Sequence, residues 1–186
     1  MRALQPEREA RFRALYADAH ADVLRFTRRR VHPTQAEDVV ADAFLVAWRR
    51  LDDAPSRHDD ARAWLFGITR HCLLNTHRGQ QRQQALAVRL IDAAALASTE
   101  NFSAADAQAD LIAQRLDLAA AWRRLSIVQQ EVLALTSLDD LTSPQAAQVL
   151  GISATAYRLR LVRARRALRA HLTPTDTPST QLETQP

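Results

Sequence analysis

Apolar side chains recur at three- and four-residue steps through most of this chain, the period of helices buried along one face. The pattern is sharpest near the end, where Ala154, Tyr157, Leu161, Ala164, Leu168 and Leu172 form one stripe and predict a helix over 154–172. A shorter helix is predicted just before it. Ser143 is a suitable N-cap, Pro144 suits the first helical position, where a missing N–H costs nothing, and Gly151 supplies the left-handed residue that commonly ends a helix. Ser153 then caps the long helix. A short helix, a tight turn and a long helix make a helix-turn-helix.

Upstream, the periodicity predicts a first helix over 7–30, ending before Pro33, with Phe12, Leu15, Tyr16, Val23, Leu24 and Phe26 as core candidates. Thr34 and Glu37 have the spacing of a capping box, worth on the order of 1 kcal/mol, and open a second helix. Its core face is Val40, Ala43, Phe44, Ala47, Trp48 and Leu51, whereas Asp38, Asp42 and Leu45 lie off that stripe. Residues 52–60, with Pro55, read as a loop, after which Asp59 or Asp60 caps a third helix through about residue 81. Trp64, Leu65, Ile68 and Cys72 give that helix an inner face. Its other side shows Phe66, Arg70, His71, Leu74, Asn75 and Arg78. Such a mixture stacks on bases, bonds to their edges and neutralises phosphate in single-stranded nucleic acid, although Phe66 and Leu74 fit a packed core equally well.

Residues 83–109 are alanine-rich with loose periodicity and read as a linker of some helical content. A C-terminal unit follows over 110–172: one helix to residue 125, one capped by Ser126 with Gln129 three positions on, then the helix-turn-helix. Residues 173–186 have little to bury and read as a disordered tail. The fold class is therefore all-α, with two small helical domains, 7–82 and 110–172, joined by a linker.

Charge sharpens this picture. The net charge of +4 is modest, but no acid occurs from Leu141 to Thr175, while Arg158, Arg160, Arg163, Arg165, Arg166 and Arg169 stud the outer face of the last helix. An ordinary surface helix intersperses glutamates with its arginines. An arginine-rich helix without them fits the major groove and its flanking phosphates. A second acid-free stretch, 61–91, carries Arg62, Arg70, Arg78, Arg82 and Arg89, and between the two basic zones residues 90–114 hold acids and no base.

Other chemistries find little support. The single cysteine, Cys72, excludes an internal disulfide and fits a reducing compartment. No apolar run approaches the roughly 20 residues that span a bilayer, and no signal-peptide core is present, so a cytoplasmic location without membrane insertion is expected. His71, Cys72 and His77 lack the spacing of a metal site, and no phosphate loop, nucleophilic triad or glycine-rich cofactor turn occurs. No catalytic residue, metal, cofactor or small-molecule substrate is expected. A stand-alone helix-turn-helix regulator is the competing reading; such proteins usually read paired half-sites as dimers, and nothing here resembles a dimerising coiled coil.

Three runs decide between these readings. AEDVVADAFLVAWRRLDD at 36–53, ARAWLFGITRHCLLNTHR at 61–78 and QEVLALTSLDDLTSPQAAQVLGISATAYRLRLVRARRALRAHL at 130–172 resemble, in that order, the core-docking segment, the minus-ten helix and the minus-thirty-five reader of extracytoplasmic-function sigma factors of the sigma-70 family. The resemblance implies a subunit that binds core RNA polymerase through its largest-subunit clamp helices and flap, places it on promoter DNA by two separated contacts, helps open the duplex, and is held by an anti-sigma factor. Asp38, Asp42 and Leu45 match the polymerase-binding helix. Residues 53–60, including Arg57, match the loop that captures a flipped base. Arg70, His71, Asn75, Arg78 and Arg82 match the minus-ten reader, and Thr155, Arg158, Leu159, Arg160 and Arg163 the groove-facing helix. The acidic spacer matches the linker that threads the RNA exit path. Typical members carry Asn where His71 stands, Gln at Ala41, Pro at Ser126, Thr at Ala156 and Ser at Leu159. Leu159 and Val162 put apolar atoms on the groove side, where contact with a thymine methyl is expected.

Overall fold

The computed structural model describes residues 4–79 and 105–172, with side chains over 6–76 and 111–172. Seven α-helices and no strand are present among the described residues: α1 (Leu4–Arg28), α2 (Pro33–Arg49), α3 (His58–Gly79), α4 (Ala105–Arg123), α5 (Ile127–Ser137), α6 (Ser143–Leu150) and α7 (Ala154–Leu172), with a single 3-10 turn at Leu51–Asp53. The all-α, two-module expectation holds. Residues 83–104 of the predicted linker 83–109, Arg82 and the predicted tail 173–186 lie outside the described residues. Helix α4 begins before residue 110, inside the stretch expected as linker.

The first module packs α1, α2 and α3 through the expected stripes. Val40, Ala43, Phe44, Ala47 and Leu51 are buried, joined by Ala36 and Val39, while Trp48 is half-buried. Leu65 and Ile68 are buried on α3, with Trp64 and Cys72 half-buried. Phe66 turns out to be core, its ring stacked on Phe26 of α1 at 4.8 Å between centroids. Tyr16, expected inside, is exposed: its ring lies along the rim of α1 against Phe44 and His20, 4.6 and 4.8 Å away.

The helix starts shift by small amounts with clear causes. Thr34 does not cap α2, because Pro33 begins the helix one position earlier; His32 is the N-cap, its Nδ1 accepting the Thr34 N–H at 3.5 Å. Glu37 instead faces Arg28 at 3.6 Å. Asp59 and Asp60 lie inside the first turn of α3 rather than capping it, where their charge complements the helix dipole. For α6 the cap is Thr142, not Ser143: the Gln145 side-chain oxygen accepts from the Thr142 N–H and hydroxyl at 3.0 and 2.8 Å.

In the second module the other predicted devices are in place. Ser126 and Gln129 form a reciprocal capping box at the start of α5, and Gly151 adopts φ 66°, ψ 35° at the end of α6. Ser153 Oγ accepts the Ala156 N–H at 3.1 Å. The α7 stripe is buried at Tyr157, Leu161 and Ala164 and half-buried at Ala154 and Leu168, whereas Leu172, expected on it, is exposed at the last residue of the helix, past its packing partners. Tyr157 anchors α7: its hydroxyl donates to the Val132 carbonyl at 2.7 Å and accepts from Thr136 Oγ1 at 2.7 Å.

The two modules dock on each other, chiefly α3 against α6. A Cβ added to Gly67 would stand 4.0 Å from the Val149 Cα, so the backbones approach closely there.

Candidate nucleic-acid interface

Burying Tyr157, Leu161 and Ala164 commits one side of α7 to packing and fixes what remains outside. Thr155, Arg158, Leu159, Arg160, Val162, Arg163, Arg165 and Arg166 are all exposed, and among the described residues none of Arg158, Arg160, Arg163, Arg165 or Arg166 is paired with a carboxylate within 4.0 Å. Leu159 and Val162 are 52% and 61% exposed on that same face. A helix bearing open cations around a small apolar patch suits a groove lined by phosphates with methyl groups on its floor.

The sequence-predicted residues of α3 separate into two groups. His71 and Asn75 are exposed on successive turns. Arg70 is half-buried, its Nε 3.8 Å from Glu131 Oε1 across the module boundary. Phe66 and Leu74 are withdrawn: the first is core, the second lines a cleft of about 220 Å³ between the modules with Ile127, Val128, Leu150, Arg70 and Arg160. Arg57 is exposed in the loop before α3, 3.6 Å from Asp60. The backbone of α3 runs through Arg78, but the Arg78 side chain, like all of Arg82, lies outside the described residues.

A separate surface forms on α2. Asp38, Asp42 and Leu45 are exposed on successive turns, Leu45 at 49%. Nearby, burial and the charge of Asp42 raise the Cys72 thiol pKa above its ordinary value. Among the described residues no cluster of His, Cys, Asp and Glu suits a metal ion, and no helix is long and apolar enough to cross a membrane.

Two stretches of the chain match family descriptions: residues 15–83 match Sigma-70 region 2 and residues 115–168 match Sigma-70, region 4. The chain belongs to the extracytoplasmic-function sigma factors of the sigma-70 family. This sigma factor is 36% identical over 145 residues to the RNA polymerase sigma factor CnrH of Cupriavidus metallidurans, covering 75% of this chain and 74% of that one. It is 32% identical over 165 residues to the ECF RNA polymerase sigma factor SigL of Mycobacterium tuberculosis, covering 88% and 89%. The solved structure of CnrH in complex with the cytosolic domain of CnrY aligns with a TM-score of 0.54 at 29% identity, over 87% of this chain and 86% of that one.

One set of residues was missed from sequence. Arg29 and Arg30, just past α1, are buried and reach Asp139 and Glu131 of the second module. Arg30 Nη2 is 3.1 Å from Asp139 Oδ2, its Nε is 3.2 Å from Glu131 Oε2, and Arg29 pairs with the other Asp139 oxygen. Arg62 adds a bond to the Asp139 carbonyl at 2.9 Å, and the Gln145 amide donates to Asp60 at 3.1 Å. The only signal in sequence was a pair of arginines at a helix end and a pair of aspartates in a turn, far apart in the chain.

Proposed function

We propose that this sigma factor carries core RNA polymerase to its promoters through three surfaces, with no covalent chemistry of its own. Asp38, Asp42 and Leu45 of α2 are the polymerase-docking patch for the clamp helices of the largest subunit, and the exposed apolar side chains Leu111, Ile112 and Leu116 of α4 meet the flap. Arg57, Arg70, His71, Asn75, Arg78 and Arg82 handle the minus-ten strand, the exposed His71 and Asn75 bonding to bases and the arginines to phosphate. Thr155, Arg158, Leu159, Arg160 and Arg163 enter the major groove at minus-thirty-five. The observation that carries this reading is the set of exposed cations Arg158, Arg160, Arg163, Arg165 and Arg166 around Leu159 and Val162, none of them within 4.0 Å of a carboxylate among the described residues. The first domain is taken as residues 7–82 and the tail as 173–186; the second domain runs to residue 172 and starts with α4 at Ala105, which shortens the proposed linker from 83–109 to 83–104. The setting is cytoplasmic, and the regulator is an anti-sigma factor, as the CnrH structure with CnrY supports.

Two weak readers joined by a linker gain affinity only when both sites lie at the spacing the polymerase imposes. A mobility-shift comparison tests this. Holoenzyme should shift promoter fragments at concentrations at which the free chain does not; tight, specific binding by the free chain would refute it in favour of a stand-alone regulator. Charge reversal at Asp42 (Asp42→Arg) should abolish the holoenzyme shift by blocking assembly, and unchanged assembly would remove α2 from the docking surface.

A further inference from the structure

We infer that the cleft where α3, α5, α6 and α7 meet is a binding site for a small organic anion, a carboxylate on a compact apolar body. The cleft holds about 220 Å³ and puts the side chains of Arg70 and Arg160 beside Leu74, Ile127 and Leu150, with Glu131 in its wall. That volume is the share of about seven waters at about 30 Å³ each, enough for a single ring or a short chain carrying one charged group. The inference goes beyond the promoter contacts proposed above. There Arg70 and Arg160 serve separate DNA elements, whereas the cleft brings them to one space.

Charge decides what the cleft takes. The nearest carboxylates are already engaged: Asp139 is held by Arg29 and Arg30, and Glu131 accepts from Arg30 at 3.2 and 3.4 Å. Arg70 is left with Glu131 at 3.8 Å, beyond hydrogen-bond reach, and its buried Nε has no acceptor among the described residues. Arg160 is exposed and has no carboxylate partner among the described residues. Two guanidiniums facing one partly apolar space repel each other. An anion between them removes that repulsion and accepts paired N–H bonds from their planar forks. A carboxylate suits the place better than a phosphate dianion, because Glu131 stands in the same wall and repels a second negative charge. The hydrocarbon part of the ligand covers Leu74, Ile127 and Leu150, of which Ile127 is 38% exposed. A few convergent polar groups set in apolar walls are the usual make-up of a small-molecule site.

Isothermal titration of the full chain tests the site, with benzoate, cyclohexanecarboxylate and hexanoate as probes and benzamide, acetate and inorganic phosphate as controls. At least one probe should bind saturably, at one site per chain. It should bind about ten-fold or more tighter than benzamide, which lacks the charge, and than acetate or phosphate, which lack the apolar body. Arg160→Ala should weaken that probe about ten-fold or more. Ile127→Asp should abolish binding, because its carboxylate takes the anion's place; an acid in the first turn of α5 favours the helix, so the fold is kept, as circular dichroism would verify. Saturable binding by none of the probes would overturn the proposal. So would benzamide binding as tightly as benzoate, which would remove the arginines from the site, or phosphate doing so, which would remove the apolar walls. Unchanged affinity in both variants would put the probe elsewhere and overturn the site. The titration contains no polymerase, so its failure leaves the sigma-factor reading standing.

Discussion

Replacing Tyr157 by Phe removes one oxygen atom from the joint that sets α7 on its module. The ring is fully buried and would stay so. What is lost is the bond donated to the Val132 carbonyl and the one accepted from Thr136, each 2.7 Å long. At about 1 kcal/mol net for each such bond, the variant should be destabilised by about 2 kcal/mol. The same hydroxyl has a pH signature. Burial first, then the charge of Glu131, raises the Tyr157 pKa above its ordinary value of 10.0, against an opposing bond from Thr136. The folded state thus holds this proton more tightly than the unfolded chain. Its contribution is complete below the unfolded value near 10 and is lost as pH rises through the folded value. Urea unfolding of the full chain, followed by circular dichroism between pH 7 and 11, measures both effects. Tyr157→Phe should lower stability at pH 7 and flatten the alkaline decline. A variant within about 0.5 kcal/mol of the parent, with the same alkaline slope, would refute the assigned role of this hydroxyl.

Three further outcomes are expected. Gly151→Ala meets no side chain or backbone within 4 Å, so its cost is the left-handed φ of 66° alone, about 1 kcal/mol, visible as a lower urea midpoint without loss of helix content. Leu159→Ala should erase a thymine preference in the minus-thirty-five element, about five-fold for the methyl contact, when active promoters are selected from a randomised library; no thymine preference in the parent would contradict the contact. Removing one phosphate-facing arginine, Arg158→Ala or Arg163→Ala, should reduce the slope of log affinity against log salt by about 0.9 in holoenzyme binding, and an unchanged slope would place that side chain away from the backbone.

Local chemistry made much of this fold legible. Gly151, Ser153 and the Ser126 capping box act over a few residues, and the stripes on α2 and α7 bury as their spacing demands. Errors arose where two local signals competed: Pro33 moved the start of α2 ahead of Thr34, and Thr142 outdid Ser143 because Gln145 was in reach to complete its box. Tyr16 matched the α1 stripe but stands at its rim, where an aromatic ring covers Phe44 while facing water. Phe66 was ambiguous until Phe26 of α1 was known to stack on it. The exposed faces of α3 and α7 were readable as faces, since burial of one side determines the other. The docking of the modules was not readable, because Arg29, Arg30, Glu131 and Asp139 lie about a hundred positions apart in the chain and no periodicity links them.

The central claim is that this chain confers promoter recognition on core RNA polymerase. Run-off transcription with purified core enzyme and a genomic promoter library measures it directly. Defined transcripts that appear only when the chain is added, and share two upstream elements at constant spacing, are the expected result; core enzyme that neither binds the chain nor starts any transcript in its presence would contradict it.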